Sequence, residues 1–169
     1  MTVLVEGNLQ ITIPNGATAR KFDDNASHGL SHCMKAVDFI VELNNRMLFI
    51  ELKDPDHPAA APANRQQFID GFLGGQIDAD LKVKYRDSFL YEWAYERISK
   101  PIYYLVLIAA STLGPAELLV RTDELKRQLP LTGPSTAPWP RPFVAGCSVM
   151  NLEEWNKQLP ELPVSRVTA

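Results

Sequence analysis

The segment from Val37 to Lys53 constrains the fold more than any other part of the chain. Two runs rich in β-branched and aromatic residues, Val37 to Leu43 and Met47 to Lys53, are separated by Asn44-Asn45-Arg46. Such a pattern reads as a β-hairpin. Side chains alternate between the faces of a strand, so Val37, Phe39, Val41 and Leu43 share one face and Asp38, Ile40 and Glu42 the other. In the second run Leu48, Ile50 and Leu52 oppose Met47, Phe49, Glu51 and Lys53. Asn44-Asn45 tolerates the positive φ of a two-residue turn. With that turn Leu43 faces Arg46, Ile40 faces Phe49 and Asp38 faces Glu51. A three-residue turn would set Asp38 against Leu52 and break the apolar face. The register that keeps the faces consistent is therefore the one that brings two carboxylates together.

Two opposed carboxylates about 4 Å apart repel by roughly 4 kcal/mol at an effective dielectric near 20. Lys53, on the same face, offsets part of this, and a divalent cation would offset more, because hard carboxylate oxygens suit Mg²⁺ or Mn²⁺. The bland reading is a solvated strand face with a Glu51–Lys53 charge pair of little energetic weight. Against it stand the apolar Ile40 and Phe49 on that same face.

Around the hairpin the sequence predicts a layered α/β domain. Leu9 to Ile13 alternates and is stopped by Pro14-Asn15-Gly16, a strand and a turn. Residues 17–34 read as a loop with one helical turn. Asp54-Pro55-Asp56-His57-Pro58 ends the second hairpin strand. A helix follows from Asn64, with Phe68, Ile69, Phe72 and Leu73 as its stripe and Gly71, Gly74 and Gly75 breaking it. A second helix starts at Ile77 or Tyr85 and runs to Ile98, with Phe89, Leu90, Trp93, Ala94 and Ile98 inward. Ile102 to Ala110 is a strand buried on both faces. Pro115 to Leu129 is a helix with Leu118, Leu119, Leu125 and Leu129 apolar. Residues 130–142, with five prolines, form a surface loop. Phe143 to Met150 is a strand, and Asn151 caps a short helix whose Glu153 and Glu154 suit its positive end. The whole is one domain, residues 1–169, with a mixed central sheet flanked by helices.

These residues resemble the signature of the PD-(D/E)XK phosphodiesterase superfamily, the restriction-endonuclease-like nucleases. There an Asp in one strand is followed across a hairpin by acid-x-Lys, here Asp38 and Glu51-Leu52-Lys53. The order hairpin, helix, buried strand is also similar, so the resemblance covers residues 9–110 as a core, with residues 111–169 as decoration. It implies Mg²⁺- or Mn²⁺-dependent hydrolysis of a nucleic-acid phosphodiester, most often DNA. Asp38 and Glu51 would hold the metal with the Leu52 carbonyl, and Lys53 would orient the attacking water or stabilise developing charge. Many members add an acidic residue from an N-terminal helix; the candidates here are Glu6, Asp23 and Asp24, none in a convincing helix, and Asp23-Asp24 also reads as the start of a turn. Some members place a Gln on the helix after the Lys, which Gln66 and Gln67 match; Gln67 is the one assigned to the catalytic set. The resemblance extends to a role as effector of a prokaryotic defence system. The alternative is a catalytically inactive nuclease-like scaffold subunit of a nucleic-acid-processing complex. A homodimer or partner subunit would supply the specificity that a chain without a separate recognition domain lacks.

Other constellations carry less. His28, His32 and Cys33 have the spacing of a partial zinc site without a second ligand cluster. His57 sits beside the hairpin end and is a candidate to line the cleft. Lys82, Lys84 and Arg86 alternate with Asp80 and Asp87 and read as a solvated stretch, or as an edge that tracks phosphates. Tyr85, Tyr91, Trp93, Tyr95 and Trp139 are candidates to stack on bases or to fill the core. Two cysteines are too few for a disulfide scaffold, so a reducing cytoplasm is the simpler assumption. The N-terminal residues lack the basic and apolar regions of a signal peptide, and the longest apolar stretch is too short to span a bilayer. The net charge of −3 excludes general coating of DNA and leaves any substrate contact local to a cleft. The deficit arises within residues 1–57, where Asp38 and Glu51 themselves lie.

Overall fold

The computed structural model describes residues 2–167. The hairpin forms as β4 (Phe39–Glu42) and β5 (Met47–Lys53), with Ile40 opposite Phe49 and Leu43 N–H donating to the Arg46 carbonyl. This is the register set by the two-residue turn. The ladder ends at Phe39 opposite Ile50, one pair short of Asp38. Val37, expected beside Phe39 and Val41, instead joins the cluster on the opposite face, because the chain has left the ladder before it.

β5 is the middle of a five-stranded mixed sheet, ordered β3 (Thr18–Lys21), β4, β5, β6 (Ile102–Ile108), β7 (Gly146–Met150). The β3, β4 and β5 neighbours run antiparallel, and β5, β6 and β7 run parallel. β6 is apolar almost throughout because parallel strands are covered on both faces. Residues 111–169, expected as decoration, supply the fifth strand β7 and the helix α4 (Pro115–Gln128) that packs on it.

The two faces are covered differently. One packs against α2 (Pro62–Leu73), α3 (Asp78–Ala94) and α4 through Ile69, Phe72, Leu81, Tyr85, Leu118 and Leu125. The other faces a three-stranded antiparallel sheet, β1 (Thr2–Glu6), β2 (Leu9–Ile13) and β8 (Val164–Arg166), and α5 (Leu152–Gln158). The expected flanking helices are present, α2 to α4 on one face and α5 on the other, and a small sheet unannounced by the sequence shares the second layer. α5 is capped as its sequence predicts, Asn151 Oδ1 accepting from Glu154 N–H at 2.9 Å. The strands β1, β3 and β8 were not foreseen. They are short edge strands with one or both faces exposed, so they carry too few apolar positions to signal themselves.

α3 is turned from its expected orientation, with Phe89 still packed against the core. Asp78, Leu81, Tyr85, Ser88 and Glu92 are buried, at spacings of three and four residues, while Leu90 and Trp93 are exposed. Leu73 and Leu119 are likewise exposed rather than core. The break between α2 and α3 falls at Gly74-Gly75, where Gly75 has φ 78°; Gly71 remains inside α2. Among the described residues no helix is long and apolar enough to cross a membrane.

Candidate functional site

Asp38 leaves the β4 ladder with its side chain directed at β5. Its Oδ2 accepts the Leu52 N–H at 2.6 Å, so a carboxylate replaces the next backbone bond of the ladder. Its backbone carbonyl accepts from Phe22 and Asp23 N–H on the other side, which fixes the residue between β3 and β5. Asp38 is 4% exposed and Glu51 has no exposed surface.

Strand alternation sets Glu51 and Lys53 on one face, and Lys53 Nζ lies 2.7 Å from Glu51 Oε1. A second ammonium reaches the same oxygen from above. Lys84 Nζ, on α3, lies 2.8 Å from Glu51 Oε1, 3.8 Å from Asp38 Oδ1 and 3.6 Å from Asp23 Oδ2. The sequence placed Lys84 in a solvated stretch or on a phosphate-tracking edge; its side chain is in fact only 12% exposed. Its inward spacing with Tyr85 and Ser88 was legible, but the alternation of charge from Asp80 to Asp87 masked it.

The electrostatics follow from this crowding. Burial, reinforced by the Glu51 charge, raises the Asp38 carboxyl to about 7, against the pull of Lys84, the Leu52 N–H and Lys53. Burial alone would lower the Lys84 ammonium, but the Glu51 and Asp38 charges outweigh it and raise it. Among the described residues Glu51 Oε1 is met by both ammonium groups, Lys53 Nζ at 2.7 Å and Lys84 Nζ at 2.8 Å, and no hydrogen bond reaches Oε2. A buried carboxylate charge persists only when it is paired, and the two ammonium groups supply that pairing at Oε1.

Of the residues named from sequence, Asp38, Glu51, Leu52 and Lys53 are brought together. Asp23 joins them at the mouth through Lys84, with its side chain 47% exposed. Asp24 does not: it caps the short helix α1 (Asn25–His28), accepting from Ala26 N–H at 2.9 Å, so the turn reading holds for it. Glu6, on β1 of the small sheet, pairs at 2.7 Å with Lys21 on β3 of the large one. Gln67 is exposed on α2 and Gln66 donates to Asp70 Oδ1; neither takes part in the contacts above. His57 accepts the Ala59 N–H in its own turn, and His28 packs on Phe22 and Tyr91.

The hard oxygen donors available to a divalent cation are therefore Asp38 Oδ1 and the two oxygens of Glu51. Leu52 presents its amide to Asp38, and a strand residue's carbonyl points to the same edge as its amide. Among the described residues no group of three or more His, Cys, Asp or Glu side chains is gathered at metal-binding distance. Comparison of the chain with family models, with curated proteins and with solved structures found no match.

Proposed function

We propose that this chain is a metal-dependent nuclease of the PD-(D/E)XK type, acting on phosphodiester bonds of nucleic acid, with DNA the favoured substrate. One observation carries the reading: a buried carboxylate pair at the end of a hairpin, with Lys53 two residues beyond Glu51 and in contact with it. The arrangement of a hairpin, helices and then a parallel strand supports a restriction-endonuclease-like core. The donor set suits Mg²⁺ or Mn²⁺, and Glu51 Oε2, which accepts no hydrogen bond among the described residues, is the buried acceptor such an ion would satisfy. Asp38 and Glu51 would hold the ion, with the Leu52 carbonyl as a further oxygen on that edge. A bound ion would polarise the phosphoryl group and lower the pKa of its water. Lys53, 30% exposed, is placed to meet the phosphate or that water from the solvent side.

Plasmid and linear DNA incubated with Mn²⁺ or Mg²⁺ test this. Cleavage by the native chain is expected, with loss of about 100-fold or more for Lys53→Ala, the scale of removing one charge-stabilising group. No cleavage of DNA or RNA at any metal concentration, together with no saturable metal binding, would overturn it.

A second reading, a catalytically inactive scaffold of the same fold, is favoured by one feature. Two ammonium groups already neutralise the two carboxylates, so the cluster is balanced without a metal. Saturable Mn²⁺ binding that Asp38→Ala abolishes separates the two readings in favour of the enzyme.

A further inference from the structure

We propose that Lys84 is the resident counter-ion of this site: its ammonium holds the position between Asp38 and Glu51 that the divalent cation takes, and the cation enters as Lys84 swings outward toward Asp23. This rests on the metal-binding reading above and adds to it how the site is kept closed and how it opens.

Glu51 has no exposed surface, so nothing reaches its oxygens while both lysines stay in place. Its Oε1 is shared by the two ammonium groups at 2.7 and 2.8 Å, so it keeps one of them when the other leaves. A divalent ion between Asp38 and Glu51 would stand within a few ångströms of the Lys84 ammonium, where like charges repel by several kcal/mol at roughly the dielectric of a protein surface. One ammonium must therefore leave.

Lys84 is the one with a further carboxylate to move to. Its third neighbour, Asp23 Oδ2, lies at 3.6 Å on the solvent side, so the ammonium keeps a carboxylate partner as it moves. Lys53 contacts Glu51 and stands on the same strand. The motion belongs to the flexible lysine stem and not to α3. The helix is pinned beneath it: Ser88 Oγ donates to the Lys84 carbonyl at 2.7 Å and accepts the Val37 N–H at 3.0 Å, and Tyr104 OH donates to the Leu81 carbonyl at 3.0 Å.

Calorimetric titration of the full chain with Mn²⁺ tests the proposal without reference to activity. Lys84→Gln, which removes the charge and keeps the length, is expected to bind Mn²⁺ about tenfold tighter than the native chain. Lys84→Arg, which keeps the charge, is expected to stay near the native value. In the native chain, acylation of Lys84 by acetic anhydride, read by mass spectrometry, is expected to rise on Mn²⁺ saturation. Native binding with Lys84→Gln no tighter overturns the role of Lys84 and leaves the metal reading standing. Absence of binding in both overturns the two together. Should Lys84→Gln fail to fold, the labelling decides: unchanged acylation at saturating Mn²⁺ overturns the proposal.

Discussion

Asp38 carries the sharpest consequence at the scale of a single residue. Its folded carboxyl titrates near 7, above the unfolded value near 4, so the folded state holds the proton more tightly. The sign follows from linkage. Below about pH 4 both states are protonated and the group contributes no penalty; the penalty grows as pH rises through the interval and is full above 7. With about three pH units between the two values, the full cost is on the order of 4 kcal/mol. Asp38→Asn, which still accepts the Leu52 N–H, should therefore stabilise the metal-free chain at pH 8 and lose that advantage at pH 4. Urea unfolding of both proteins at the two pH values measures it; a difference independent of pH would contradict the burial of the charge. On the proposed metal-binding reading the same proton would compete with the ion, and Mn²⁺ affinity should weaken by up to about tenfold per pH unit below 7.

At the scale of elements, α3 shows where the sequence was readable and where it was not. The hairpin was legible because a period of two, an Asn-Asn turn and a charge pair all point to one register. Leu9 to Ile13, the buried β6 and the capped α5 were legible for the same reason, each with several signals in agreement. The phase of α3 was hidden. Its inward side carries Asp78 against Arg121, Lys84 against Glu51, and Glu92 against Arg20 alongside Leu81 and Tyr85, so polar residues interrupt the buried stripe while Leu90 and Trp93 face out. Hydropathy cannot find a core face whose partners are charges supplied by distant elements. This phase predicts a contrast. Tyr85, fully buried and donating to the Phe143 carbonyl at 2.6 Å, should cost about 3–5 kcal/mol on replacement by Ala. Trp93, 63% exposed, should cost within about 0.5 kcal/mol. Comparable losses at the two positions, measured by denaturant unfolding, would mean that the helix is turned the other way.

For the whole molecule, the small sheet and the large one share a core. Leu9, Ile11, Trp155 and Val164 pack with Phe39, Leu48, Ile50 and Leu107 in one cluster, and Trp155 Nε1 donates to the Leu162 carbonyl at 2.7 Å. Two layers with a common core should unfold together. A Trp93→Phe, Trp139→Phe chain leaves Trp155 as the fluorescent reporter of the small-sheet side. Its urea midpoint should coincide with that of far-ultraviolet circular dichroism, and two separated midpoints would show independent units. Arg166 of β8 also clamps Asp54 through two contacts of 2.8 Å, immediately after Lys53. Asp54 and Arg166 lie 112 residues apart. A ribosome makes Asp54 long before it makes Arg166, and chains emerge at only about 5–20 residues per second. For several seconds the nascent hairpin therefore exists without the strand that fastens its end. If the hairpin carries hydrolytic chemistry, that chemistry reaches its final geometry only after β8 has been translated, and synthesis itself acts as a timer on the site.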